Sequence, residues 1–191
     1  MRRSEIRDHI LDTAFTLFNE HGFAATGVDL IVARSGVAKT TLYRHFPTKE
    51  ELIVATITRQ DERVRDSMRA FVKAHAKSPG DAIPATFDWL AQWFADDGFR
   101  GCLFLAAAAE HTDIKNSIFH AAQMHKRLTL AYLEELAHAA GYTDAKRIAA
   151  EIAMLHEGAT AVAQFNRDPA TALSAKAAAL RLLAAEPVAA G

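Results

Sequence analysis

Apolar residues recur at three- and four-residue spacing through most of the chain, and no stretch alternates apolar with polar as a half-buried strand would. Ile6, Ile10, Leu11, Ala14, Phe15 and Phe18 lay one stripe along a first helix, with Ser4 placed to cap it, Glu5 suited to its positive end and Gly22 to stop it. A second short helix is predicted over 29–35. The Gly36-Val37-Ala38 break separates it from a third over 39–46, which Pro47 ends because the residue before a proline is biased away from helix. Thr48-Lys49-Glu50-Glu51 then has the spacing of a capping box. With no strong breaker before Ser78-Pro79-Gly80, the helix it starts is predicted to run roughly 29 residues, about 43 Å. Further helices are predicted over 82–95, 102–110, 117–140, 144–165 and 169–185. They are divided by Asp96-Asp97-Gly98, Gly141 and Asn166-Arg167-Asp168-Pro169, with Asp168 as N-cap and Pro169 as first helical residue of the last. The tail after Glu186 is expected to fray. The fold class is all-α: an N-terminal three-helix helix-turn-helix domain over 1–47 and a C-terminal helical bundle over 48–191, about nine helices joined without a flexible linker.

Composition agrees, since the 50% hydrophobic content is dominated by alanine and leucine and β-branched runs are few. A formal net charge of −1 argues against a protein that coats nucleic acid by bulk charge, so any such contact must be local. The window 34–49 supplies it: Arg34, Lys39, Arg44, Lys49 and His45 with no acid among them. The lone Cys102 permits no intrachain disulfide and fits a reducing cytoplasm. Met1-Arg2-Arg3-Ser4-Glu5 leads into an amphipathic stretch, so no signal peptide is indicated. The longest fully apolar run, 102–109, is far short of the roughly 20 residues that span a bilayer, so no membrane partner is expected.

Two short helices around a glycine-containing turn, the second basic and polar, suit a recognition helix for the major groove. Ile31, Val37 and Leu42 would pack the pair together, leaving Lys39, Thr40, Thr41, Tyr43, Arg44 and His45 outward. Gly22-Phe23 with Thr26, Ala33-Arg34-Ser35-Gly36-Val37, and above all Thr41-Leu42-Tyr43-Arg44-His45-Phe46-Pro47-Thr48-Lys49-Glu50-Glu51-Leu52 together resemble the tetracycline-repressor (TetR/AcrR) family of transcriptional regulators. The match is strong over roughly residues 4–53, and beyond it only helix number and length agree, although Gly101-Cys102 and the alanine-rich helix ending in Glu110 also look like some members. The resemblance implies that Thr26, Thr41, Tyr43, His45 and Lys49 bind the backbone of double-stranded DNA and that Lys39, Thr40 and Arg44 read sequence. Arg44 suits a guanine edge bidentately, and Lys49 beside a helix N-terminus suits a phosphate. Gly27 departs from the serine or threonine common in the family, which puts a phosphate contact there in doubt.

A recognition helix reads one half-site, so a homodimer on a palindromic operator is expected. Ile148, Ile152, Leu155, Ala159 and Val162, with Leu173, Ala177, Leu180 and Leu183, are the expected interface of a four-helix bundle. Aromatic residues concentrate in the middle of the chain, and Trp93, Phe104, Met124, Leu128 and Tyr132 are expected to line a cavity for a small, mostly apolar effector, with Cys102 and His125 as polar or soft handles. The alternative, an all-helical metalloprotein or enzyme, rests on His111, Asp113, His120, His125, His156 and Glu157. His120 and His125 are five apart, on different faces of one helix, and HExxH, CxxC and a nucleophile elbow are all missing from the sequence. No catalytic residue, metal site or cofactor is therefore expected. The resemblance implies a regulator, most often a repressor, whose operator affinity changes when an effector shifts the long fourth helix.

Overall fold

The computed structural model describes residues 2–188, so the last residues of the expected frayed tail lie outside it. Among the described residues there are nine α-helices: α1 Arg3–His21, α2 Val28–Ser35, α3 Lys39–His45, α4 Lys49–His75, α5 Ala82–Phe94, α6 Leu103–Glu110, α7 Ser117–Ala139, α8 Ala145–Asn166 and α9 Ala170–Ala184. The one β-type pairing among them is an isolated bridge between Tyr142 and Val188.

The helix ends follow local chemistry in some places and depart from it in others. Ser4 does not cap α1: it lies within the first turn, and the Glu5 carboxylate instead accepts the Arg2 backbone N–H at 2.8 Å and the Arg2 Nε–H at 2.6 Å. At α4 the Thr48 hydroxyl accepts the Glu51 N–H at 3.1 Å, as expected of a cap. The return half differs, since the hydroxyl itself donates to Glu51 Oε1 at 3.3 Å. Asp168 accepts the Ala170 N–H at 2.9 Å, so α9 begins one residue later than its sequence suggested, with Pro169 at the N-cap.

The chain packs as two compact units, one up to Arg63 together with Leu103–His125, the other Val64–Cys102 with the chain from Lys126 onward. In the first, Ile10, Leu17, Phe18, Phe23, Ile31 and Leu42 are fully buried, as α1 packs on α2 and α2 on α3. In the second, α5 packs against α8 and α9, which also pack on each other. Phe87, Leu90, Leu133, Ile148, Ile152 and Ala163 form that core, and the alanines allow the close approach. The expected boundary at 47/48 is not where the packing divides, because α4 contributes to both units and α6 belongs to the first.

The expected dimer surface needs correction. Ile148, Ile152 and Ala159 are buried in the chain's own core, Leu183 with them, and Leu155 is half-buried against it. A partner cannot reach them. The exposed apolar residues of the same helices are Met154 (67%), Val162, Phe165 (89%), Leu173 and Leu180, with Ala177 beside them. Met154, Gly158, Ala161, Val162 and Phe165 follow helical spacing on α8, as Leu173, Ala177, Leu180 and Ala184 do on α9. The correction has a physical cause: α8 is apolar on two faces, and periodicity marks both stripes without saying which is inside.

His156 is the most constrained titratable group of the second unit. Its Nε2 lies 2.8 Å from Thr86 Oγ1, whose single proton is donated to the Ile83 carbonyl at 2.7 Å, so the imidazole must be the donor of the pair. Phe87 packs edge-on against the ring. Burial first, and the Lys126 charge second, push the His156 pKa down to about 3. The unfolded chain then takes up a proton below about pH 6.5 that the folded chain refuses, so stability present above that pH is lost as pH falls toward 3. Denaturant unfolding at pH 7 and pH 5 should show a loss of about 2 kcal/mol from this residue, absent in His156→Gln. Equal pH dependence in the two proteins would contradict the assignment.

Candidate nucleic-acid interface

The second and third helices meet through Gly36, whose backbone is left-handed (φ 69°) and whose N–H closes α2 on the Val32 carbonyl at 3.0 Å. A side chain at this φ would be strained, which is why glycine punctuates the turn. Ile31 and Leu42 are buried at the junction of α2 and α3, with Val37 half-buried between them. That packing leaves Lys39, Thr40, Tyr43 (41% exposed) and Arg44 outward, with Thr41 and His45 half-buried at the edges. Hydroxyls, a phenol and a guanidinium on one short helix make a surface that can reach base edges and phosphates together. Lys39 is held by Asp29 at 2.6 Å, an exposed pair that a phosphate can exchange at little cost. At Gly27 the N-cap of α2 has no side-chain hydrogen bond, in line with the departure seen in the sequence.

Thr26 is fully buried, and its hydroxyl donates to the Gly22 carbonyl at 2.7 Å, with the Leu17 carbonyl at 3.2 Å. Its side chain therefore holds the turn between α1 and α2 and is withdrawn from any phosphate, a correction to the expected backbone contact. Lys49 is half-buried, and its Nζ donates to the Phe23 carbonyl at 2.7 Å and the Ala24 carbonyl at 3.5 Å. On the other side of the same turn, the Glu110 carboxylate accepts the Phe23 N–H at 3.1 Å and the Ala24 N–H at 2.6 Å. Gly22 sits against it at φ 82°, where a Cβ would come within 3.0 Å of Glu110 Oε1. Acceptors and donors of one turn are thus met by a cation from α4 and an anion from α6, a clasp that the sequence pattern around Lys49 does not reveal.

Two arginines join the site without having been expected there. Burial, followed by the positive charges of Arg3, Arg7 and Arg44, holds the His45 imidazole below its ordinary range. The Arg7 guanidinium lies 5.3 Å from the centre of the Phe46 ring, at the C-terminal end of α3. Arg3 and Arg7 stand four apart on α1, a spacing visible in the sequence but obscured by Glu5, Asp8 and Asp12 around it.

The expected cavity residues are divided between the units. In the first, His125 Nδ1 is 2.8 Å from Asp61 Oδ1 and its ring stacks on Phe104 at 3.5 Å, both residues being buried, while Met124 is exposed. In the second, Trp93 packs edge-on against Phe99 at 4.9 Å, and Tyr132 carries the Arg69 guanidinium 4.8 Å above its ring. Cys102 accepts from Lys126 Nζ at 3.4 Å, and Leu128 is half-buried. Among the described residues no three His, Cys, Asp or Glu side chains are grouped to hold a metal ion, and no helix is long and apolar enough to cross a membrane.

The family described as "Bacterial regulatory proteins, tetR family" matches residues 10–56, and "Transcriptional regulator LmrA/YxaF-like, C-terminal domain" matches residues 79–178. The chain belongs to the TetR family of transcriptional regulators. This TetR-family protein is 29% identical over 140 residues to the HTH-type transcriptional regulator LmrA of Bacillus subtilis, covering 71% of this chain and 73% of LmrA. It is 31% identical over 109 residues to the regulator CymR of Pseudomonas putida, covering 57% of this chain and 53% of CymR. The chain spans about half the length of CymR and of other curated relatives that it matches. A TetR-family regulator from Streptomyces coelicolor, SCO4454, has a crystal structure similar at a TM-score of 0.85 and 30% identity, covering 93% of this chain and 95% of that one. TetR-family proteins are DNA-binding regulators rather than enzymes, and this chain has their all-α, helix-turn-helix architecture.

In this regulator the clasp on the turn is open to a direct check. Glu110→Ala should raise amide hydrogen exchange at Phe23 and Ala24 roughly tenfold, the size expected when about one charge-assisted hydrogen bond is removed from each. Unchanged exchange at both amides would show that the carboxylate does not hold them.

Proposed function

We propose that this protein is a cytoplasmic homodimeric repressor that binds a palindromic operator and changes its grip when a small, mostly apolar effector enters the C-terminal region. The observation that carries the reading is the outward face of α3: Thr40, Tyr43 and Arg44 stand exposed immediately after the left-handed turn at Gly36. In this reading residues 1–47 bind DNA and 48–191 sense and dimerise. Lys39, Thr40 and Arg44 read bases, while Thr41, Tyr43, His45 and Lys49 bind the backbone, Lys49 with whatever donor capacity the turn leaves it.

Dimerisation is supported by the exposed stripe of Met154, Val162, Phe165, Leu173, Ala177 and Leu180, which is apolar surface of the kind a monomer seldom leaves in water. Two copies related by a two-fold would bury it as a four-helix bundle. Effector binding is supported by the aromatic content around Trp89, Trp93, Phe94 and Phe99, with Cys102, Leu128 and Tyr132 in the same unit. Response requires that the effector favour one state: equal affinity for both would shift nothing. Helix α4 offers the route, because it begins at the Thr48 cap beside Lys49 and continues without a break to His75.

Random-site selection should return a palindrome, and Arg44→Ala should lower affinity for it by roughly fivefold to a hundredfold, with relaxed preference at one base pair per half-site. Failure to enrich any sequence would overturn the operator assignment. Light scattering should find a dimer for the wild type and a monomer for Phe165→Glu. A wild-type monomer, or a variant that still dimerises, would remove the proposed interface.

A further inference from the structure

Some cations of the first unit are neutralised by neighbouring acids and others are not. Among the described residues up to Arg63, Arg2 pairs with Glu5, Lys39 with Asp29, Arg59 with Asp8 and Asp12, and Arg63 with Asp12. Asp8 and Asp12 of α1 are thereby engaged by α4. Arg3, Arg7, Arg34 and Arg44 have no carboxylate partner among the described residues. Three of these four converge: Arg44 on α3 and Arg3 and Arg7 on α1 all act on His45, and Arg7 is seated over the ring of Phe46. Like charges brought together on an exposed surface repel one another in the DNA-free protein. An anion laid across them relieves that repulsion.

We propose that Arg3 and Arg7 form a phosphate-binding edge of the DNA interface, extending it from the helix-turn-helix hairpin onto the outer face of α1. The inference rests on the DNA-binding reading above and goes beyond it, because the N-terminal family match begins only at residue 10. The occupant is duplex backbone rather than another anion because the edge adjoins the end of α3, where a recognition helix in the major groove is flanked by phosphates. Seating on Phe46 fixes Arg7 without consuming its N–H donors, which leaves the guanidinium's planar fork to face a phosphate. The contact reads no sequence: it adds affinity to any duplex and fixes register.

The test is the salt dependence of binding to a short mixed-sequence duplex, so that no operator is needed. For Arg3→Gln/Arg7→Gln the slope of log affinity against log salt should fall by about 0.9 for each phosphate no longer neutralised, close to 2 per bound subunit. Arg3→Gln alone, which leaves Arg7 seated on Phe46, should lower it by about 1. Arg3→Lys/Arg7→Lys should restore the wild-type slope, which a merely structural role of the guanidinium on Phe46 would not do. Wild-type slopes in both glutamine variants, with unchanged helicity, would overturn this proposal and leave the DNA-binding reading standing. A wild-type protein without salt-dependent duplex binding would overturn both.

Discussion

The turn between α1 and α2 must bury Phe23 completely and still satisfy the backbone around it, and the recognition hairpin begins from that turn. Buried or half-buried amides and carbonyls without partners cost about 1–3 kcal/mol each, so the segment needs both donors and acceptors from outside itself. The Thr26 hydroxyl supplies one donor from within, Lys49 supplies another from α4, and Glu110 supplies two acceptor oxygens from α6. His111 packs edge-on against Phe23 beside them. The orientation of α2, and through Gly36 that of α3, is therefore tied to the starts and ends of helices far away in sequence.

Electrostatics has the same local character. The net charge of −1 is spread unevenly: Arg3, Arg7 and Arg44 near α3 have no carboxylate partner among the described residues, while acids elsewhere pair with cations. Asp8 and Asp12 cancel Arg59 and Arg63 along α4, and Asp88 cancels Lys176 in the second unit. Arg3, Arg7 and Arg44 stand near one end of α3, where burial first and their charges second depress the His45 imidazole. A protein with this distribution stays near neutral in net charge and still presents a concentrated field to a phosphate backbone.

Helix number, type and approximate ends were legible because each depends on residues within a turn or two: Pro47, Gly36, the Thr48 cap and the 3.6-residue stripes. The site was legible only on its outer face. Tyr43, Arg44 and Thr40 are outward because Leu42, one or two residues from each of them on α3, is inward, as Ile31 is on α2. Thr26, Lys49 and His125 make hydrogen bonds to Gly22, Phe23 and Asp61 that the pattern does not show, and the last two of those contacts join residues 26 and 64 positions apart. Sequence spacing carries no information about such contacts. Residue type alone makes a threonine or lysine near a recognition helix look like a DNA ligand, when burial can have committed it to the backbone.

The correction on α8 follows from the same limit and shows what resolves it. A helix with one apolar stripe has one buried face, and periodicity then predicts the core; a helix with two stripes must divide them between the chain's own core and something else. Ile148, Ile152 and Ala159 take the first role, and Phe165, Val162 and Met154 are left with the second. The difference lies in position along the helix as well as around it. Val162 and Phe165 sit near the C-terminal end of α8, beyond most of the large core residues, where a phenylalanine left 89% exposed has too little packing in its own chain to offset its transfer cost. Large apolar side chains thus stand at positions the chain's own core does not use, and the pattern, which marks both stripes alike, shows the fold without showing which stripe is left outside.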